Sequence, residues 1–256
     1  MDSKITQYIY LYHAIPRIDI KNVIYWKEHQ IFVNDLFPVD VHTNEAVFDI
    51  QYGNVKRNMH DNTSWDFAKF EVCHHKWLDV AEDDYGVSVL NDCKYGVSVR
   101  DGVIGLSMLK SALYPNPEAD KEVHEFTYSI YPHQGDWKAA GTVKQAYQLN
   151  NPFSVCWKET EEGDLPEQYS FVSSDAENVV IEVVKKAEDL DAIIVRMYEC
   201  FNRRTKATLT FGEELDSVME CNMLEEDEQE LGCDGKQVTF TMMPYEIKTL
   251  KVKMKG

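Results

Sequence analysis

Two histidines beside a cysteine form the first candidate for metal chemistry in the chain. Cys73, His74 and His75 are consecutive, and thiolate and imidazole are ligands that zinc prefers. On a strand, however, His74 and His75 point to opposite faces, and the sequence has no second ligand cluster at the spacing of a zinc finger. We therefore interpret the triplet as a buried thiol beside hydrogen-bonded imidazoles, and we expect no metal ion or other cofactor in this chain.

Acidic and histidine side chains could instead support glycoside chemistry. Hydrolysis of a glycosidic bond needs two carboxyl groups, roughly 5–5.5 Å apart for retention and roughly 6.5–9.5 Å apart for inversion. Glu82-Asp83-Asp84 is a dense acidic cluster, but three consecutive acids on a turn are typical of a solvated loop. His124 and His133 could meet a carboxylate as in the mutarotases, an interpretation that rests on fold analogy alone. The sequence has no nucleophile elbow or phosphate-binding loop, so acyl transfer and nucleotide chemistry are unsupported.

Composition and charge restrict the partners of the chain. Its 256 residues include 44 acidic and 26 basic side chains, which give a formal net charge of −18. This charge repels phosphate backbones and anionic lipid surfaces, so we expect neither nucleic acid nor a membrane as a partner. The six cysteines include no C-x-x-C pair, and the N-terminal residues contain no apolar signal segment. These features predict a cytoplasmic protein with reduced thiols.

Alternation of apolar and polar residues indicates β-strands along almost the whole chain. Tyr85–Val89 and Tyr95–Val99 share the sequence Y-G-V-S-V, and the turn-forming residues between them predict that the two segments pair as a hairpin. Asp101-Gly102 predicts a further tight turn, into a strand at Val103–Leu109. Aromatic residues on both faces of His124–Tyr131 favour two stacked sheets, and the proline that follows should end this strand.

The remaining segments predict more strands and little helix. Expected strands lie at Ile5–Pro16, Val23–Phe37, Val179–Val184, Ala192–Tyr198, Ala207–Phe211, Gln237–Met242 and Glu246–Met254. Glu161–Glu167 is predicted to be an acidic linker because it contains glycine and proline. Lys138–Ala146 is the only segment for which we predict a short helix. The turn spacing in the second half predicts a second, smaller sandwich.

Three blocks of sequence resemble a known family. They are N-T-S-W-D-F-A-K-F-E-V-C-H-H-K-W at Asn62–Trp77, Y-G-V-S-V-L-N-D-C-K-Y-G at Tyr85–Gly96 and H-E-F-T-Y-S-I-Y-P-H-Q-G-D-W at His124–Trp137. In this order and spacing they resemble the C-terminal all-β region of the α-mannosidases of glycoside hydrolase family 38, especially the cytosolic and bacterial branch. The resemblance extends over almost the whole chain.

The resemblance implies an all-β fold in two domains. Residues 1–160 would form a large antiparallel β-supersandwich of the galactose mutarotase-like type, truncated at its N-terminus, and residues 161–256 would form a smaller C-terminal β-sandwich. In this family the zinc ion and the catalytic carboxylates belong to an N-terminal α/β domain and a helical domain, and no segment here resembles either. The resemblance therefore implies no catalytic residue in this chain, and zinc only in the catalytic domain of a longer parent.

The resemblance also implies an accessory role beside a sugar site. In the resembling enzymes, loops of the β region help to wall the sugar pocket of the N-terminal domain. The residues matched to a substrate-proximal or domain-interface position are Arg57, His60, Asn62, Trp65, Asp66, His75, Lys76 and Trp77. Aromatic faces suit a sugar ring and polar groups suit its hydroxyls, although Trp65 and Trp77 could also be core or interdomain anchors. The R-N-M-H sequence at Arg57 departs from the commoner R-P-T-H form of this loop.

These implications lead to an expected function for a longer parent protein. The parent would be a retaining α-mannosidase that hydrolyses mannose-containing oligosaccharides, and this chain alone would be inactive. Its partners would be the oligosaccharide and the N-terminal catalytic domain of the same polypeptide, with a homo-oligomer as a further option. The alternative is a stand-alone carbohydrate-binding or oligomerisation module.

Overall fold

A computed structural model of the chain describes residues 2–157 and 166–255. The chain divides into two units, residues 1–155 (unit 1) and residues 156–256 (unit 2). The boundary predicted between residues 160 and 161 lies outside the described residues, as do residues 161–165 of the predicted linker. Among the described residues, no helix combines the length and the apolar character that a membrane crossing requires.

Unit 1 is built from two antiparallel sheets. Its strands are β1 (Lys4–Leu11), β2 (Ile18–Tyr25), β3 (Val33–Pro38), β4 (Glu45–Ile50), β5 (Gly53–Asn58), β6 (Val72–Cys73), β7 (Trp77–Ala81), β8 (Tyr85–Asn91), β9 (Gly96–Arg100), β10 (Val103–Leu109) and β11 (Val123–Gln134), and its helices are α1 (Ser64–Ala68) and α2 (Thr142–Asn150). The seven-stranded sheet has the order β1-β2-β11-β8-β7-β4-β5, and the four-stranded sheet has the order β3-β10-β9-β6. β1 and β5 therefore lie at opposite edges of the larger sheet.

The two sheets of unit 1 pack face to face because their inward side chains are apolar. One core cluster joins Ile24 and Phe126 of the larger sheet to Leu106 of the smaller one. A second cluster joins Leu78 to Val97 in the same way. Full burial of each such side chain contributes roughly 1.5–3 kcal/mol relative to exposure. The predictions of stacked sheets and of an all-β, supersandwich fold are confirmed.

The predicted hairpin between Tyr85–Val89 and Tyr95–Val99 is wrong. β8 pairs with β7 and β11, whereas β9 pairs with β6 and β10 in the other sheet. The chain leaves the larger sheet at Asn91, whose side-chain amide bonds to His74 at 2.8 Å and whose Oδ1 accepts from the backbone N–H of Lys94 at 2.7 Å. These bonds fix a crossover between the sheets, and the two Y-G-V-S-V segments are alike because each is a strand buried in the same core.

The turn at Asp101-Gly102 is confirmed. Both residues have positive φ, 50° and 72°, as a type I′ turn requires. β9 and β10 pair directly across this turn, with Arg100 opposite Val103. A two-residue connection therefore holds these neighbouring strands in the smaller sheet.

Several other element boundaries differ from the prediction. β11 continues through Pro132, where the sequence predicted its end. Pairing with β2 stops at Ile130, whereas pairing with β8 continues. A proline is tolerated here because the edge of the strand that faced β2 no longer takes part in a hydrogen-bond ladder. The predicted strand Val23–Phe37 is two strands, β2 and β3, with Gln30 at a positive φ of 53° between them. β1 ends at Leu11, five residues before the predicted end at Pro16.

The helices also differ from the prediction. α2 begins at Thr142, after Gly141 in the left-handed conformation at φ 68°. The helix predicted at Lys138–Ala146 is therefore present, but it begins and ends four residues later than predicted. The left-handed glycine ends the preceding turns and sets the start of the helix. α1 was not predicted, because five residues are too few to show a helical period.

A buried ion pair fastens α2 to the larger sheet. Arg17 donates to both carboxylate oxygens of Asp19, at 2.7 Å and 3.0 Å, and to the backbone carbonyl of Gln145 in α2 at 3.0 Å. The same carboxylate accepts from Ser129 at 2.6 Å and from Tyr12 at 2.8 Å. Because the buried carboxylate is paired and also hydrogen-bonded, its desolvation is offset.

Unit 2 is a smaller sandwich of two antiparallel sheets. Its strands are β12 (Val172–Ser174), β13 (Val179–Lys186), β14 (Ile193–Glu199), β15 (Thr205–Phe211), β16 (Leu215–Cys221), β17 (Asp227–Leu231), β18 (Cys233–Asp234), β19 (Gln237–Met242) and β20 (Ile247–Met254). The sheets have the orders β12-β15-β19-β18 and β13-β14-β20-β16-β17. Each strand predicted in this half is present, with its ends within two residues of the prediction. The predicted C-terminal β-sandwich is confirmed.

Unit 2 contains a buried carboxylate that organises its loops. Glu199 accepts from the side-chain amide of Asn178 and the backbone N–H of Phe201, both at 2.7 Å. It also accepts from the backbone N–H groups of Arg203 at 3.2 Å and Tyr245 at 3.0 Å. The Glu199 carboxylate thus accepts hydrogen bonds from backbone and side-chain donors in separate loops. Leaving such buried donors without an acceptor would cost stability.

We expect Glu199→Gln to lower the free energy of unfolding by about 3 kcal/mol, because the new amide turns donor hydrogens toward buried N–H groups. Urea unfolding of the purified chain measures this loss. The control is Glu228→Gln on the exposed edge strand β17, which should change stability by less than about 0.5 kcal/mol. Equal stabilities for the two variants would contradict the assignment.

Candidate functional site

The first five predicted site positions, Arg57 to Asp66, run from β5 to α1. Arg57 lies near the end of β5, opposite Ala46 of β4. The N-cap of α1 is Thr63, whose hydroxyl accepts from the backbone N–H of Asp66 at 3.1 Å and contacts the Asp66 carboxylate at 2.6 Å. The hydrogen bond from Thr63 is the main reason that the pKa of Asp66 lies below its usual value.

Positive side chains hold α1 in place. Asp66 lies 3.6 Å from Lys69 and 3.9 Å from His60. Arg100 Nη2 donates to the backbone carbonyls of Asp66, Phe67 and Lys69, at 3.2 Å, 3.1 Å and 2.9 Å. These carbonyls belong to the C-terminal end of the helix, where intrahelical donors run out; the Asp66 carbonyl also accepts from the backbone N–H of Lys69 at 3.1 Å. Arg100 therefore fixes the helix to the end of β9.

A small cavity lies between β5, α1 and β9. Its volume is about 30 Å³, and its lining is Phe48, Arg57, Asn58, Met59, His60, Asp66, Lys69, Val72, Val97, Ser98, Val99 and Arg100. Three permanent cations and one carboxylate line this cavity, although the chain as a whole carries −18. The structure thus places three of the predicted residues, Arg57, His60 and Asp66, around one cavity and adds two cations, Lys69 and Arg100, that the sequence did not point to.

Arg57 stands apart from the other cations of the cavity. Its guanidinium lies over the ring of Phe48, 4.6 Å from the centroid. Nη1 is buried and has no hydrogen-bond acceptor among the described residues. Burial lowers the pKa of Arg57, and a weaker effect of the nearby Cys73 opposes it. A cation held on an aromatic face with a donor unused can bind an acceptor from outside.

The two predicted tryptophans have opposite environments. Trp65, in α1, is 80% exposed and is not a core residue. Trp77, at the start of β7, is 1% exposed and packs on Trp137 with the ring centroids 4.8 Å apart. Trp77 therefore belongs to the core, which was the alternative that the sequence left open for it, and not to a substrate-facing surface. Asn62 is exposed, with its backbone N–H 3.5 Å from Nδ1 of His60.

His75 and Lys76 lie outside the lining of the cavity. The His75 ring packs against Tyr95 with centroids 5.1 Å apart, and Nε2 lies 3.3 Å from the amide nitrogen of Gln51. Lys76 Nζ lies over the ring of Tyr147, 4.8 Å from its centroid. The eight predicted positions therefore do not form one site, and of them the cavity collects only Arg57, His60 and Asp66.

The Cys73-His74-His75 triplet is partly as predicted. His74 is buried, and its ring nitrogens lie 2.8 Å from the Asn91 amide and 3.1 Å from the Tyr95 carbonyl. Burial lowers the pKa of His74 to about 4. Cys73 is exposed, so the expected buried thiol is wrong. Across the described ranges, no group of three or more histidine, cysteine or acidic side chains could hold a metal ion.

His133, one of the two histidines considered for glycoside chemistry, does meet a carboxylate. His124 contacts the backbone carbonyl of Asp120 at 2.7 Å. His133 is buried and lies 2.8 Å from Asp79, which also accepts from Ser88 at 2.7 Å. The sequence analysis did not identify Asp79 and Ser88. The signal that could have found them is a polar residue at a strand position where the alternation places apolar, inward-facing side chains. Burial gives this cluster a structural role.

The fold defines the class of the chain as an all-β protein, a large antiparallel β-supersandwich followed by a smaller β-sandwich. Residues 1–118 match the family described as "Glycosyl hydrolases family 38 C-terminal domain". Residues 178–250 match the "Glycosyl hydrolases family 38 C-terminal beta sandwich domain". The chain belongs to glycoside hydrolase family 38 and corresponds to its C-terminal region.

Similar proteins agree with this assignment. Alpha-mannosidase G of Dictyostelium discoideum is 37% identical over 258 residues, which cover 98% of this chain and 23% of the relative. Alpha-mannosidase 2C1 of Homo sapiens is 33% identical over 254 residues, which cover 97% of this chain and 24% of the relative. The crystal structure of an alpha-mannosidase from Enterococcus faecalis V583 has the same fold, with a TM-score of 0.83 at 20% identity over 97% of this chain and 29% of that one. The chain spans about a quarter of the length of these curated relatives.

Proposed function

We propose that this chain is the non-catalytic C-terminal β region of a retaining α-mannosidase, and that it supports and partly walls the active site of an N-terminal catalytic domain. The observation that carries the proposal is its similarity, over 98% of its length, to an α-mannosidase of which it spans 23%. The parent would act in the cytoplasm on mannose-containing oligosaccharides.

Zinc and the catalytic carboxylates would belong to the catalytic domain. The described residues of this chain do not fit a zinc site, because they contain no group of three suitable ligands and because Cys73 is exposed whereas His74 is buried. When bound in the catalytic domain, zinc would hold sugar hydroxyls. The task of this chain would be to shape and cover the site.

Exposed apolar side chains support the presence of a covering partner. Around α1 they are Trp65, Phe67 and Phe70. Contiguous apolar surface of this kind marks interaction sites. We assign this surface and the adjoining cavity, together called the α1 surface, to contact with the catalytic domain of the same polypeptide.

A second apolar surface lies at the opposite edge of the larger sheet. In β1 the exposed apolar residues are Ile5, Tyr8, Ile9, Tyr10 and Leu11, and among the described strands β1 pairs only with β2. An unprotected edge strand with apolar side chains is a template for further strands. This edge supports a parent whose β region is larger than the described one.

We expect the purified chain alone to show no hydrolysis of an aryl α-mannoside, because its described residues contain no group of three zinc ligands and because the two carboxyl groups that hydrolysis needs would belong to the catalytic domain. The longer polypeptide should hydrolyse the same compound with retention of configuration, which NMR of the first product anomer measures. Hydrolysis by the chain alone, abolished by a point substitution within it, would overturn the proposal.

The alternative function, a stand-alone carbohydrate-binding module, is tested on the same material. The cavity volume of about 30 Å³ is only two to three times the roughly 10–15 Å³ that one water molecule needs by the same measure, so a sugar ring does not fit. Isothermal titration of mannose oligosaccharides into the chain should therefore show no saturable heat. Tight binding in that experiment would favour the module over the accessory region.

A further inference from the structure

We propose that the cavity beside Arg57 is a carboxylate-binding site, in which the guanidinium of Arg57 receives one carboxylate group. The chemistry of the ligand follows from this chain alone. Its assignment to an aspartate or glutamate side chain of the catalytic domain rests on the proposed function. A free small carboxylate is the other source of the same group, and the experiment below separates the two.

The first step of the argument is that Arg57 is the cation without a partner in this cavity. Lys69 pairs with Asp66 at 3.6 Å. Arg100 donates to the carbonyls at the end of α1, as described above. Arg57 Nη1 is buried with no acceptor among the described residues, and the half-buried guanidinium lies over the ring of Phe48. An unpaired buried donor on a partly desolvated cation is costly, and an incoming acceptor would remove this cost.

The second step concerns the charge of the acceptor. A neutral carbonyl or hydroxyl would satisfy the free N–H but would leave the buried charge uncompensated. A carboxylate would satisfy both, since the planar guanidinium matches its two oxygens. The lining supplies three permanent cations against one carboxylate, in a chain that is otherwise strongly acidic. The local field therefore favours an anion.

The third step concerns size. A cavity of about 30 Å³ exceeds the roughly 10–15 Å³ that one water molecule needs by the same kind of measure. It therefore has room for a group of a few atoms, such as the end of an aspartate or glutamate side chain. The positive lining calls for an anion, and the small volume favours an anion with few atoms, such as a carboxylate, over the larger phosphate or a pyranose ring.

The first arm of the test uses the 256-residue chain with 15N label. The side-chain Nε–Hε signal of Arg57, identified with Arg57→Gln, should shift saturably when sodium formate replaces sodium chloride at constant ionic strength. The matched control is the signal of Arg203, which lies 3.3 Å from Glu177 on the surface and should not move. An unchanged Arg57 signal, or an equal shift of Arg203, would overturn the proposal.

The second arm uses the longer polypeptide and identifies the source of the carboxylate. If a side chain of the catalytic domain occupies the site, the Arg57 signal is already shifted and formate has no further effect. If the site takes a free carboxylate, the signal still responds to formate. A signal that is neither shifted nor responsive would contradict the proposal. If the longer polypeptide shows no mannosidase activity, the proposed function is refuted, whereas the result of the first arm still stands.

The conservative variant Arg57→Lys tests the proposal in a case where Arg57→Gln fails to fold. Lysine keeps the charge and the aliphatic stem but loses the planar pair of donors. We expect the formate-dependent stabilisation of the chain, measured as a shift in Tm against chloride, to be smaller in Arg57→Lys than in the original chain. Equal stabilisation of the original chain, Arg57→Lys and Arg57→Gln would show that formate acts elsewhere.

Discussion

Trp77→Ala should lower the free energy of unfolding of the chain by about 3–5 kcal/mol. Trp77 is 1% exposed and packs on Trp137 with the ring centroids 4.8 Å apart. Truncation removes the buried apolar area and leaves a cavity that the neighbouring strands cannot fill, because packed sheets relax only partly. Thermal and urea unfolding of the purified variant measure the loss.

Trp65→Ala is the matched control for this prediction. Trp65 is 80% exposed, so its removal should change the stability of the isolated chain by less than about 0.5 kcal/mol. In the longer polypeptide the same substitution should weaken turnover of substrate or association with the catalytic domain. A loss of several kcal/mol in the isolated Trp65→Ala variant would place this residue in the core and remove the α1 surface from the interface.

The two tryptophans show what the sequence could not separate. Both lie in one block that resembles the family, twelve residues apart, and residue type favours burial for both. What distinguishes them is tertiary structure. Trp77 opens a strand that is paired on both sides, whereas Trp65 lies in a short helix that Arg100 holds at the surface.

Period-2 alternation was sufficient to predict the strands of unit 2. Gln237–Met242 alternates exposed and buried residues through its whole length, and its predicted ends match the structure. Alternation reports which face a residue occupies, but it carries no information on which strand lies beside which. The hairpin prediction failed for this reason, because the bonds of Asn91 redirect the chain into the other sheet.

The candidate site could be predicted only in part. Arg57, His60 and Asp66 were selected by resemblance, and the structure places them around one cavity. Lys69 and Arg100 were missed, because their positions depend on α1 and on the end of β9. The unpaired state of Arg57 is a property of three-dimensional packing, and it is this property that gives the cavity its chemistry.

The buried pair of Asp79 and His133 was also missed, and it is the basis of the second large effect. Nε2 of His133 lies 2.8 Å from Asp79, and Ser88 donates to the same carboxylate oxygen at 2.7 Å. A Cβ added at Gly86 would lie 2.5 Å from the His133 ring, so glycine at this position of β8 makes room for the imidazole. Burial disfavours the charged imidazole, but the hydrogen bond and charge of Asp79 outweigh it, and the pKa of His133 is raised.

His133→Gln should therefore destabilise the chain in a pH-dependent way. Below the unfolded-state pKa of about 6.5 the stabilisation by the pair is complete, and loss of one partner should cost about 3–5 kcal/mol. As pH rises through the higher folded-state pKa, the folded chain holds more protons than the unfolded chain, so the original chain loses stability. The difference between the original chain and His133→Gln should consequently shrink as pH rises.

Urea unfolding at a series of pH values tests this expectation. His124→Gln is the control, because the hydrogen bond of His124 goes to the backbone carbonyl of Asp120 and not to a buried carboxylate, and its loss should cost about 0.5–1.5 kcal/mol. The double variant Asp79→Asn/His133→Gln should be more stable than His133→Gln alone, since it leaves no uncompensated carboxylate in the core. A difference between His133→Gln and the original chain that stays constant or grows with pH would show that the buried pair does not hold its proton in the folded state.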